Sequence, residues 1–180
     1  MQSVRSIVAC LCLLVALPTQ AKTLPREVQQ TLPAAQLSGQ GSYRWFGLKL
    51  YDAYLWRETK PNEVGRLWQA PFVLELIYAR NLSGERIAEA SVKEIRKLGR
   101  GTPESQSTWL QWMRDIFPDV NEGTRLSGLY LPERGVRFYR DGQLLKEISD
   151  VEFAQAFFAI WLDERSSAGD LRNALLGLEK

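Results

Sequence analysis

The chain has 180 residues, 45% of them hydrophobic and 11% aromatic, with a formal charge of +2 and no histidine. So small a charge leaves no electrostatic footprint for nucleic acid. Without histidine, no Ser-His-Asp triad, Cys-His pair or imidazole-ligated zinc site can be assembled. Any catalysis would fall to Arg, Lys, Tyr, Asp, Glu or hydroxyl groups.

Residues Met1 to Ser6 carry one basic side chain, Arg5, and an apolar run of about 11 residues follows from Ile7 to Leu17. Pro18 breaks the run and Thr19-Gln20-Ala21 offers small residues where a signal peptidase reads. The pattern predicts a signal peptide over 1–21, cleaved to start the mature chain at Lys22, and export across an inner membrane to the periplasm. The run is shorter than the roughly 18 apolar residues a membrane span requires, so no transmembrane segment is expected after cleavage. Both cysteines, Cys10 and Cys12, lie inside the run. The mature chain therefore has no thiolate and no disulfide, and must fold on its core. Residues 22–180, about 159 in number, suit a single domain.

In chain order, Lys22 to Ala35 reads as a polar lead-in. Leu37 to Phe46, rich in glycine and aromatics, predicts a first strand. Gly47 turns the chain into a second, Leu48 to Trp56. Neither face of that strand is purely polar, so cover on both sides is expected. Phe72 to Arg80 forms a third strand, with Phe72, Leu74, Leu76 and Tyr78 on one face. Ser83 caps a helix to about Leu98, stopped by Gly99. Thr102-Pro103 starts the next helix, in which Trp109, Trp112, Met113, Ile116 and Phe117 make one apolar stripe. Strands follow over Thr124 to Leu131 and Val136 to Arg140. Asp141-Gly142 predicts a type I′ turn into Gln143 to Ile148. Ser149-Asp150-Val151-Glu152 reads as a capping box opening a very apolar helix through Leu162. A short helix over Ala168 to Leu176 ends at Gly177. Strands and helices come in blocks, which indicates an α+β fold with a largely antiparallel sheet.

Several phrases, in this order, resemble the chalcone isomerase-like family and its exported bacterial branch. They are Gly47-Leu48-Lys49-Leu50-Tyr51-Asp52-Ala53-Tyr54-Leu55-Trp56, then Leu82-Ser83-Gly84, then Phe153 to Leu162, then Ser166-Ser167-Ala168-Gly169-Asp170-Leu171. The resemblance implies an open-faced β-sandwich: a large antiparallel sheet with a helical layer on one face and a ligand cleft between them. Some members cyclise chalcones, whereas others bind fatty acids.

The plant enzymes use an arginine on an early strand, a threonine on the next, and a tyrosine, an asparagine and a Ser or Thr from the helices. Carried over, the threonine falls at Tyr51, where fatty-acid-binding relatives also have tyrosine. The helical tyrosine falls at Ile87, the asparagine at Glu94 and the Ser or Thr at Ile160. The Gly39-Gln40-Gly41 turn places the arginine at Tyr43, one residue before Arg44. Such an offset reverses the face unless a bulge intervenes. Arg44, helped by Lys49, would anchor an anionic head; solvation, or pairing with Asp52 or Glu75, is the plainer role for Arg44. Phe157 would serve as core and pocket wall together.

Aliphatic residues at 87 and 160 remove the groups that would hold a polar bicyclic substrate, so no catalytic residue is assigned. No metal or cofactor is expected. The reading is a non-catalytic, exported binder of a fatty acid or similar amphiphile. An isomerase or lyase on an aromatic or enone substrate, and a structural or interaction module of the cell envelope, stand as alternatives.

Overall fold

The computed structural model describes residues 24–58 and 64–178. The expected leader, Met1 to Ala21, and its cleavage point lie outside the described residues. After a single turn of helix, α1 (Arg26–Gln29), two long strands follow, β1 (Gln36–Trp45) and β2 (Leu48–Arg57). A short 3-10 helix (Val64–Gln69), absent from the sequence expectation, leads into β3 (Phe72–Tyr78). Two helices come next, α2 (Gly84–Lys97) and α3 (Pro103–Ile116). Then come β4 (Arg125–Leu131), β5 (Gly135–Arg140), β6 (Gln143–Ile148), α4 (Val151–Leu162) and α5 (Gly169–Leu176). The six strands pair antiparallel in sequence order, β1 to β6. This is the expected α+β architecture, an antiparallel sheet with helices layered on one face.

Local chemistry sets the boundaries. The Ser83 side chain accepts from the Arg86 N–H and caps α2, and Gly99 takes the left-handed backbone past its end. Thr102 and Ser105 form a reciprocal capping box on α3, with Pro103 in the first turn. Asp141 and Gly142 both have positive φ, as a type I′ turn requires. The capping box expected from Ser149 is corrected: the Asp150 carboxylate accepts from the Phe153 N–H at 2.8 Å, so the cap lies one residue later. A carboxylate is the stronger acceptor, and it also complements the helix dipole.

Strand parity divides the core in two. Ala53, Leu55, Phe72, Leu74, Leu76, Tyr130 and Phe138 face the helices, where Ile95, Met113, Phe153 and Phe158 meet them. On the other face Trp56, Val73, Leu129, Leu131 and Tyr139 gather around Leu32, with Leu24, Ala35 and Leu37 packed against them. The lead-in is therefore not merely polar: its apolar residues cover part of the outer face, and β2 has cover on both sides as its pattern predicts. At the first edge of the sheet α5 lies directly on β1. A Cβ at Gly39 would collide with the Ala174 carbonyl, and one at Gly41 would come within 2.8 Å of Leu171 Cδ1. The glycine-rich first strand is what admits the helix.

Candidate functional site

One cluster of polar groups in the sheet–helix interface lies on β1, β2 and β3. The register aligns Tyr43 with Tyr51 and Tyr51 with Tyr78 across three strands, all on the helix-facing side. Tyr43 stacks on Tyr51 with centroids 5.3 Å apart, and Tyr51 meets Tyr78 edge to face at 5.8 Å. Trp161, near the end of α4, donates its Nε1 proton to the Tyr51 hydroxyl at 2.9 Å. That bond leaves the Tyr51 proton able to donate to a ligand.

Burial pushes the Tyr51 phenol far above its ordinary value, with the Trp161 bond opposing in part and the neighbouring Tyr78, Tyr43 and Glu94 adding to the rise. Burial alone raises Tyr78, while burial and then the Glu94 charge raise Tyr43. All three stay protonated at neutral pH. As protonated phenols they can donate hydrogen bonds and are not bases at neutral pH.

The corner between α4 and α5 closes over this end. Glu94 of α2 accepts from the Ser167 backbone N–H and from its hydroxyl, both at 2.9 Å, and Lys97 donates to the same hydroxyl. Ser166 donates from Oγ to the Ile160 carbonyl at 2.6 Å and accepts from the Ala168 N–H. Glu94 thus clamps the corner in place. Ile87 and Ile160 are half-buried against the core and add apolar surface. Phe157 is buried, with five aromatic rings around it: Phe117, Phe138, Phe153, Phe158 and Trp161. It is the hub of the core.

Arg44 and Lys49 are not brought to the tyrosines. The register slips between Tyr43 and Arg44, with Leu50 as the extra residue on β2. Arg44 pairs with Lys49 in the ladder, on the face opposite Tyr43 and Tyr51. Arg44 is exposed and donates to the Gly47 carbonyl at 3.2 Å. Lys49 pairs with Asp52 at 2.7 Å, and Ser42 donates to the same carboxylate at 2.6 Å. Partial burial opposes ionisation of Asp52. The bonds from Lys49 and Ser42 and the charges of Lys49 and Arg44 prevail, and hold the carboxyl below its ordinary value. Farther along this outer face Glu75 is fully buried, with Trp56 Nε1 donating to it at 3.3 Å and Arg125 Nη1 3.8 Å away.

Of the candidate residues, then, Tyr51, Ile87, Glu94, Phe157 and Ile160 share the helix-facing side of the sheet, and Arg44 and Lys49 do not. The partners that sequence reasoning missed are Tyr43, Tyr78 and Ser167. Parity alone assigns Tyr78 to a core face, but only the register places it beside Tyr51. An open depression of about 510 Å³ lies elsewhere, between α3 and β6, lined by Trp112, Asp115, Ile116 and Leu145, and no candidate residue borders it. Among the described residues no cluster of acidic side chains could hold a metal ion, and no helix is long and apolar enough to cross a membrane.

A six-stranded antiparallel sheet carrying one helical layer defines the class of fold. The chain belongs to the chalcone isomerase-like family, whose family model matches residues 17–177. Among solved structures it is similar to a fatty-acid-binding protein of Arabidopsis thaliana at 12% identity, with a TM-score of 0.61. The match covers 79% of this chain and 87% of that one. None of the curated proteins matches the chain significantly.

Proposed function

We propose that the chain is a secreted, periplasmic member of the family, cleaved after Ala21, that carries a fatty acid or similar single-chain amphiphile without transforming it. The observation that carries this reading is the pairing of Tyr51 with Trp161, a small polar pole at the end of an apolar wall. Protonated phenols at Tyr43 and Tyr51 suit a head-group oxygen, and Ile87 and Ile160 suit an alkyl chain. Each methylene buried against such a wall is worth about 0.8 kcal/mol, so several outweigh a single hydrogen bond. The fatty-acid-binding function of the Arabidopsis protein supports the same reading. Arg44 has no part in it: the head group meets the tyrosines instead. Ile87 and Ile160 also argue against flavanone formation, because they stand where the plant enzymes place polar groups.

The test is to purify the chain without detergent, extract it with organic solvent and weigh what comes out. A stoichiometric amphiphile, lost from Tyr51→Phe and kept in Arg44→Ala, is the expected result. A protein that is empty and also refuses a fluorescent fatty acid would leave the envelope-module reading, which the dense ring packing around Phe157 favours. Chalcone turnover well above the uncatalysed rate would restore the isomerase. Intact mass of the protein recovered from the envelope checks the cleavage, expected to leave Lys22 first.

A further inference from the structure

Among the described residues, three of the five exposed large apolar side chains gather at one point, the turn between β1 and β2, while Leu144 and Leu178 stand singly elsewhere. Phe46 is 88% exposed, Trp45 58% and Leu48 50%. Trp45 pairs with Leu48, so only Phe46 and Gly47 make the turn, and their φ values of 47° and 80° are those of a type I′ hairpin. The first central position of that turn favours Asn, Asp or Gly, because a Cβ in left-handed backbone crowds the following carbonyl. Phe46 incurs that cost and recovers almost nothing by burial. Its ring meets Trp45 edge to face at 4.9 Å, and Arg44 Nη1 braces the turn through the Gly47 carbonyl. The fold gains little from an aromatic here, which directs attention to what lies outside it.

The surroundings state the chemistry of that partner. Arg44 and Lys49 flank the tip on its two strands. Arg80, also exposed, follows the Ala79 N–H that donates to the Leu50 carbonyl. The acid among them, Asp52, is already engaged by Lys49 and Ser42. An aromatic point inside a cationic collar complements the interface of an anionic bilayer, where Trp and Phe settle at the head-group level and Arg and Lys reach the phosphates. A second copy of the chain fits less well. Three side chains fall far short of the roughly 800 Å² per partner that a stable protein interface covers, whereas a bilayer rewards each side chain singly.

We propose that the β1–β2 tip is a membrane-contacting element that seats Trp45, Phe46 and Leu48 among the head groups of an anionic bilayer, with Arg44 and Arg80 on the phosphates. The inference stands on the hairpin alone and does not require the lipid-carrying role. Tyr43 lies two residues before Trp45 and stacks on Tyr51, so this contact sets the bilayer beside the tyrosine end of the interface.

The test is sedimentation of the chain, as recovered from the cell, with vesicles of phosphatidylcholine alone and of phosphatidylcholine mixed with phosphatidylglycerol. The variants share the wild-type N-terminus, so any affinity of that segment cancels in the comparison. The wild type should bind the anionic vesicles more tightly and release them as salt rises. Trp45→Ser and Phe46→Asn should each weaken binding by about tenfold, and Arg44→Gln should shrink the preference for phosphatidylglycerol. Phe46→Asn suits the type I′ turn better than phenylalanine does, so its loss of binding cannot be laid to misfolding. Equal binding by wild type and Phe46→Asn would overturn the proposal, as would no binding by either. A dimer that Phe46→Asn abolishes would assign the tip to a second copy instead, and would equally overturn it.

Discussion

Two groups of aromatic residues sit at opposite extremes of this molecule. Around Phe157, the buried rings of Phe138, Phe158 and Trp161 meet it edge to face, and those of Phe117 and Phe153 at a tilt. At the β1–β2 turn, Trp45 and Phe46 meet each other and little else. The same side-chain chemistry stabilises the fold in the first place and costs it backbone strain in the second. Hydrophobic residues are therefore informative by position: the interior cluster explains the fold, and the exposed pair calls for an external partner.

The sharpest way to break this contrast is Phe157→Ala. Removing a ring that touches five others should cost about 3–5 kcal/mol, read as a lower midpoint in urea unfolding. A cost nearer 1 kcal/mol would show that room already exists beside Phe157, and would move the proposed alkyl-chain site toward the middle of α4. Tyr51→Phe lies between the two extremes. It leaves the Trp161 N–H without its acceptor, which should cost about 1–3 kcal/mol by the same measurement. The two variants also separate roles, since only Tyr51→Phe should release a bound head group while the apolar wall stays intact.

Much of the fold is legible because its signals are local. Ser83 with Gly99, Thr102-Pro103 and Asp141-Gly142 each fix a boundary through their own backbone and side-chain chemistry. The candidate site is less legible because it depends on register. One extra residue, Leu50, separates the faces of Arg44 and Tyr51, and no local pattern announces it. Tyr43 and Tyr78 become neighbours of Tyr51 only once three strands are aligned. The clamp from Glu94 to Ser167 joins residues 73 positions apart, a contact that propensity cannot foresee. The lead-in shows the same limit: Leu24, Leu32 and Ala35 look incidental among polar residues, yet they cover the outer sheet face.

The corner that closes the tyrosine end supplies a smaller effect, one that depends on pH. Asp163, just past α4, accepts from Arg100 Nη2 at 2.7 Å, from Arg165 Nε at 3.2 Å and from the Arg165 N–H at 2.9 Å. Burial of the carboxylate opposes its ionisation, but the bonds from Arg165 and Arg100 overcome this and hold the carboxyl well below its ordinary 3.8. A carboxyl depressed in the folded state contributes stability that is present above about pH 4 and is lost as pH falls toward the depressed value. Asp163→Asn should therefore cost about 1–2 kcal/mol at neutral pH and progressively less in acid, so the two stability curves converge as pH falls. Parallel curves would mean that Asp163 contributes no acid sensitivity, and that the corner is held by Glu94 and Ser167 alone.

The smallest effect has the opposite sign, and it is the one the contrast most needs. Phe46→Asn keeps the two-residue turn, since Asn is among the residues that accept left-handed backbone there. It removes a ring that is 88% exposed and so loses almost no burial. The Arg44 bond to the Gly47 carbonyl is left in place, because both groups belong to other residues. The remaining difference is relief of backbone crowding at a φ of 47°, which should raise stability by about 1 kcal/mol and lift the thermal midpoint by a few degrees. A destabilised Phe46→Asn would show that the ring packs on the hairpin after all, and the edge-to-face contact with Trp45 would then be a fold contact like those around Phe157. A stabilised variant that has lost its hold on anionic vesicles would separate the two aromatic groups cleanly, one held for the fold and the other at the fold's expense.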